Sequence, residues 1–151
     1  MTTGIKLFQF WRNAALKSIE STSVDQASMI PKGFKNNIHW NAGHILANLD
    51  EKLHLYAWEN KGLDQRYYDL FLNGTSPKQW ENEEVPSFKE VLQKLKEQEK
   101  MVTENYEIFS RQQLTKEFRG MKTGEELLQF LVAHDCMHIR LIKGIKYALN
   151  K

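Results

Sequence analysis

Two histidines four residues apart, His134 and His138, stand in the run FLVAHDCMHIRLIKGI near the end of the 151-residue chain. On a helix, residues four apart lie one turn above each other on the same face. Leu127, Phe130, Leu131, Leu141, Ile145 and Ala148 fall on that face by the same spacing. The pattern predicts that both imidazoles point toward an apolar interior. Neutral imidazole is a ready ligand for zinc and similar ions, so a shared metal ion is the chemistry this pair fits best.

A third nitrogen donor comes from an earlier run, NNIHWNAGHILANLDEKL. Its apolar stripe is Ile38, Ala42, Ile45, Leu49 and Leu53, with Leu46 beside it. His44 borders that stripe and shares its face with Asn37, Asn41 and Asn48. A polar strip beside a core stripe suits a seam between two helices, where Asn41 and Asn48 can orient ligands or substrate. His39 lies about 140° around the helix from His44, and His54 is also off that face, so both read as structural histidines. Cys136, the single cysteine, projects about 200° from His134 and is a poor fourth ligand; it reads as a small packed side chain.

Three histidines leave one coordination position open, the arrangement of catalytic zinc sites rather than structural ones. An ion held there would bring the pKa of its water toward about 7, and could polarise a carbonyl or stabilise a thiolate. HDCMH differs from the zinc-peptidase pattern HExxH by carrying Asp135 in place of glutamate, and no further ligand follows at a peptidase spacing. Asp135 is expected to accept a hydrogen bond behind a ligand, or to pair with Arg140.

The elements that position these residues are helical. A first helix is expected from about Ile5 to Ser21, with Leu7, Phe8, Trp11, Ala15 and Ile19 on one side. The polar stretch STSVDQASMIPKG links it to a second helix, capped by Asn36 or Asn37 and continuing to about Trp58. A short aromatic-rich piece, DQRYYDLFLNG, and the loop TSPKQWENEEVP follow. Ser87 with Glu90 and Thr123 with Glu126 have capping-box spacing, which starts a third helix reaching about Phe109 and a fourth reaching about Leu149. RQQLTKEFRGM reads as a connector of one helical turn and an irregular stretch, and no run alternates as a strand does. Four long helices predict an all-α four-helix bundle forming a single domain over residues 1–151. Tyr56, Trp58, Tyr67, Tyr68, Phe71 and Trp80 are expected to cover the bundle end or form a dimer contact, ahead of roofing an apolar pocket.

Composition narrows the function classes. A net charge of +2 with no basic block gives no footprint for nucleic acid. No apolar run approaches the roughly 18 residues a membrane span needs, and Lys6, Gln9, Arg12 and Asn13 interrupt any signal-peptide core. One cysteine excludes an internal disulfide and fits a reducing compartment, so a cytoplasmic location is expected.

Taken together, Trp40, Gly43, His44 and Ile45 in W-x-x-G-H-I and the later H-x-x-x-H of His134 and His138 resemble the DinB/YfiT-like family of metal-dependent enzymes. The resemblance covers essentially the whole chain. It implies up-down-down-up connectivity, a three-histidine site at His44, His134 and His138 for one zinc or nickel ion, and homodimers. It further implies transferases or isomerases that use low-molecular-weight thiols such as bacillithiol or mycothiol. The family often carries glutamate before its last histidine, where this chain has Met137. A metal-dependent S-transferase or hydrolase is the leading expectation. A non-catalytic metal-binding stress-response or interaction protein is its rival, and a bundle with purely structural histidines is the third reading.

Overall fold

Asn37, Ser87 and Thr123 start three long helices by one device. In the computed structural model, which describes residues 3–150, each side-chain oxygen accepts a backbone N–H three residues on, from Trp40, Glu90 and Glu126. This satisfies one of the amide groups that a helix start leaves without an internal partner. The return half of the two expected capping boxes is not made. Glu90 instead accepts the Tyr67 hydroxyl, and Glu126 accepts the Lys122 N–H. A complete box forms at Ser23 with Gln26.

The helices are α1 (Thr3–Glu20), α2 (Val24–Ser28), α3 (Ile38–Tyr56), α4 (Gln65–Phe71), α5 (Phe88–Arg111) and α6 (Gly124–Leu149), with a 3-10 turn at Pro77–Gln79. The expected domain range also includes Met1, Thr2 and Lys151, which lie outside the described residues. The stretch expected as a plain polar link carries α2. Four helices are long, and their contacts are specific. Gly4 N–H meets Glu125 at the starts of α1 and α6, and Lys146 Nζ meets the Ser18 carbonyl near their ends. Arg12 on α1 reaches the Leu95 carbonyl on α5. The Gln98 amide on α5 donates to the Leu46 carbonyl on α3, and the Gln112 amide just beyond α5 donates to the Ala57 carbonyl just beyond α3.

The connector after α5 is a β-hairpin, not an irregular stretch. Strands β1 (Gln113–Phe118) and β2 (Met121–Thr123) pair antiparallel, with Gln113 opposite Thr123 and Phe118 opposite Met121. The two residues of the turn, Arg119 and Gly120, both have positive φ, 50° and 90°. That is the turn geometry whose twist suits a tight hairpin, and glycine takes it without strain. Only Phe118 of β1 is buried, so the alternation that marks a strand is nearly absent from its sequence.

Two apolar clusters fill the interior. One gathers Ile38, Ile45, Leu46, Val91, Leu95 and Ile142, and the other Phe8, Leu49, Leu53, Val102, Leu127 and Leu131. The six aromatics divide between them. Tyr67, Tyr68, Phe71 and Trp80 join the first, and Tyr56 and Trp58 join the second. On α6 the buried face is shifted from the expected one. Leu127, Leu131 and Ile145 are buried, but Leu141 is 43% exposed and Phe130 and Ala148 are only partly covered. Leu128, Val132, Asp135, Ile139 and Ile142 are buried instead, because α6 has α1, α3 and α5 all packed against it. The two histidines therefore sit toward the flank of its buried face. Among the described residues, no helix is long and apolar enough to cross a membrane.

Candidate metal centre

Gly43 is where the site begins. A Cβ on this residue would lie 2.2 Å from the Phe71 ring, so only glycine lets the end of α4 come this close to α3. The Phe71 carbonyl, left without a helical partner at that end, accepts from His44 Nδ1 at 2.7 Å. A carbonyl can only accept. The His44 proton is therefore on Nδ1, and its Nε2 is a bare lone pair.

His138 is set the same way. Its Nδ1 lies 2.9 Å from Asn41 Oδ1, while the Asn41 amide nitrogen donates to the Asn37 carbonyl at 2.8 Å. That second bond fixes which end of the amide faces the ring, so His138 also carries its proton on Nδ1 and leaves Nε2 bare. His134 lies between them. Its Nε2 is 3.1 Å from His44 Nε2, and its Nδ1 is 3.3 Å from the Asn48 amide nitrogen.

One nitrogen from each of the three rings lies within 4.8 Å of the other two. The cluster forms between α3 and α6, about midway along α6 rather than at its end. His44 is fully buried, His138 is 9% exposed, and the His134 side chain is the most open at 16%. Burial pushes His44 down to about 4, with a further push from His134 and an opposing one from the Phe71 hydrogen bond. Burial, with repulsion from His44 and His134, pushes His138 down to about 3. Both rings are thus neutral at neutral pH, which is the form that binds metal. Three imidazoles with converging nitrogens are a donor set that fits zinc or nickel, whose bonds to nitrogen are about 2 Å.

The other sequence candidates fall elsewhere. His39 Nε2 is 2.8 Å from the Pro86 carbonyl, and its ring packs among Phe71, Trp80 and Phe88. His54 is outside the cluster, with a buried Nδ1 that has no hydrogen bond. Cys136 packs against the second apolar cluster, where burial pushes its thiol up and makes it a poorer nucleophile.

Asp135 does not pair with Arg140. Its partner is Arg12, 3.5 Å away, a side chain buried to 1% exposure in the middle of α1. Arg12 also donates to Gln98 Oε1 at 2.9 Å and to the Leu95 carbonyl at 3.2 Å. Burial lowers its pKa and Asp135 opposes that. Sequence reasoning missed Arg12, although a signal was present: it falls in line with Ile5, Phe8, Ala15 and Ile19, a charge within the buried stripe of α1. It also missed the Phe71 carbonyl, because a backbone acceptor leaves no trace in residue type.

Comparison with known proteins adds one positive finding. No curated protein matches the sequence. The model of the DinB superfamily matches residues 7–142, a span that contains all three histidines. The chain belongs to the DinB superfamily.

Proposed function

We propose that this protein is a metal-dependent enzyme, holding one zinc or nickel ion on His44, His134 and His138 and acting as a thiol-dependent S-transferase or a hydrolase. The observation that carries the reading is the convergence of three imidazole nitrogens, two of them with their protons already committed away from the centre. An ion in such a site supplies Lewis acidity, which makes a thiol or water easier to deprotonate at neutral pH. The protein's own residues do the rest. Phe71 and Asn41 hold His44 and His138 in the ligand tautomer, and Asn48 restrains His134.

A cleft of about 370 Å³ has none of the three histidines in its lining but reaches Asn41, the partner of His138, and its polar wall suits a polar thiol cosubstrate. Lys35, Asn36 and Asn41 line it with cationic and hydrogen-bonding groups, and Phe34, Leu141 and Ile145 supply an apolar wall. A larger groove of about 560 Å³ along α1 and α6, lined by Phe10, Lys17, Lys143 and Lys146, contains neither the three histidines nor any residue hydrogen-bonded to them. A single-domain bundle with up-down-down-up connectivity is part of the proposal. It is supported by the start-to-start and end-to-end contacts of α1 with α6, and by the matching order of the α3 and α5 contacts. So is a homodimer, for which the exposed Phe10, Met137 and Tyr147 offer apolar surface. A cytoplasmic location, with neither membrane nor nucleic acid as a partner, completes the reading.

The complete burial of His44 favours a second reading, a non-catalytic metal-binding protein. Elemental analysis of untagged protein, beside a His138→Ala variant, is the first test. About one ion per chain, lost in the variant, is expected. No metal after incubation with zinc or nickel would end both readings. With metal present, turnover of an electrophile only when a thiol is added distinguishes the transferase from the hydrolase, and no turnover across electrophiles and esters leaves the binding protein.

A further inference from the structure

His134 differs from the other two histidines in where its proton sits. His44 presents a bare Nε2, and His134 Nε2 lies 3.1 Å from it, so His134 must donate in this contact. Its Nδ1 then accepts from the Asn48 amide nitrogen at 3.3 Å. The hydrogen bonds therefore put the His134 proton on Nε2, the nitrogen that faces the cluster. To offer that nitrogen to an ion, the ring must lose the Nε2 proton to solvent and take one up at Nδ1, with no net change in charge. A protonated Nδ1 then needs an acceptor, and the Asn48 group facing it is a donor.

A free acceptor stands beside that nitrogen, just beyond hydrogen-bond distance. Asp135 Oδ1 lies 3.7 Å from His134 Nδ1 and is a buried oxygen with no hydrogen bond. Its other oxygen is held by Arg12, which is anchored through Gln98 to the Leu46 carbonyl of α3. A buried carboxylate with one satisfied and one unsatisfied oxygen gains a hydrogen bond when the neighbouring ring changes tautomer. Asn48 would have to turn its amide over to do the same.

We infer that Asp135 is a positioning residue for the metal site, accepting the Nδ1 proton of His134 when that ring turns its Nε2 lone pair to the ion. The inference rests on the metal-binding reading above. It makes metal uptake a tautomer change at one ligand, supported by a buried Arg12–Asp135 pair that reaches all four long helices. Carboxylates behind histidine ligands typically change metal affinity by about 10- to 100-fold.

Two measurements test it. In wild-type protein with 15N-labelled histidine, long-range proton–nitrogen spectra assign the tautomer of each ring with and without zinc. His134 is expected to move from Nε2–H to Nδ1–H on loading, while His44 and His138 stay Nδ1–H. Zinc affinity by chelator competition is then compared for wild type, Asp135→Asn and Asn48→Ala. Asp135→Asn is expected to weaken binding at least tenfold, and Asn48→Ala to weaken it less. If wild type takes up no zinc, the metal reading fails and this inference with it. If zinc binds but His134 keeps its Nε2 proton, this inference alone is overturned. It is equally overturned if folded Asp135→Asn binds zinc as wild type does, or if the loss is confined to Asn48→Ala. The spectra use wild-type protein, so they decide the matter even if Asp135→Asn folds poorly.

Discussion

The Trp40 ring lies flat against His44, with centroids 4.7 Å apart and planes within 8° of parallel. The two residues are one turn apart on α3, and the Trp40 Nε1–H is itself tied to Thr75 Oγ1 at 2.9 Å. His44 is thus held at its edge by the Phe71 carbonyl and across its face by Trp40. Trp40→Ala is expected to cost about 3–5 kcal/mol in urea unfolding, the usual cost of emptying a large aromatic site. It should also weaken zinc binding in chelator competition, whereas Trp40→Phe keeps most of the stack and most of the affinity.

Acid should destabilise the metal-free protein in a defined window. An unperturbed histidine titrates near 6.5, whereas folded His44 titrates at about 4 and folded His138 at about 3. Between those limits the unfolded chain binds protons that the folded chain refuses, so stability falls as pH drops through the window. The contribution is complete above about pH 6.5 and exhausted below about pH 3. Each tenfold difference in proton affinity between the two states is worth about 1.4 kcal/mol, so the pair contributes several kcal/mol. Urea titrations at pH 7, 5.5 and 4 measure the slope, and replacing both residues by glutamine should flatten it.

Arg12 offers a sharper test of the interior. Arg12→Met leaves the Asp135 carboxylate buried without its cation, and is expected to cost about 3–5 kcal/mol. Replacing both members, Arg12→Met with Asp135→Leu, should recover most of that loss, because an apolar pair has no charge to desolvate. A double-mutant cycle by urea unfolding reads the coupling directly.

The helices are legible because their starts are written in side chains. Asn37, Ser87 and Thr123 are caps by residue type, and the stripe from Ile38 to Leu53 is buried as its spacing requires. The three-histidine cluster is legible for a related reason: His134 and His138 are one turn apart, and His44 borders an apolar stripe with Asn41 and Asn48 on its face. What escapes a sequence reading is fixed by tertiary contact. The hairpin has one buried residue in β1 and declares itself only through Arg119–Gly120. Sequence proximity points Asp135 toward Arg140, while its true partner arrives from α1 across 123 positions. The face of α6 departs from its expected stripe at Leu141 because a helix with neighbours on several sides buries more than one stripe.

The separation between His44 and His134 along the chain is 90 residues. An ion gripping both would tie α3 to α6 as a covalent staple would, closing a loop that contains α4, α5 and the hairpin. Constraining a loop of that size removes roughly 4–5 kcal/mol of chain entropy from the disordered ensemble. The same three rings that define the chemistry would therefore govern how the molecule comes apart. A loaded chain cannot release α6 from α3 without first breaking the ion's bond to His44 or its bonds to His134 and His138, so the rate of that ligand exchange sets a ceiling on the rate at which those two helices separate.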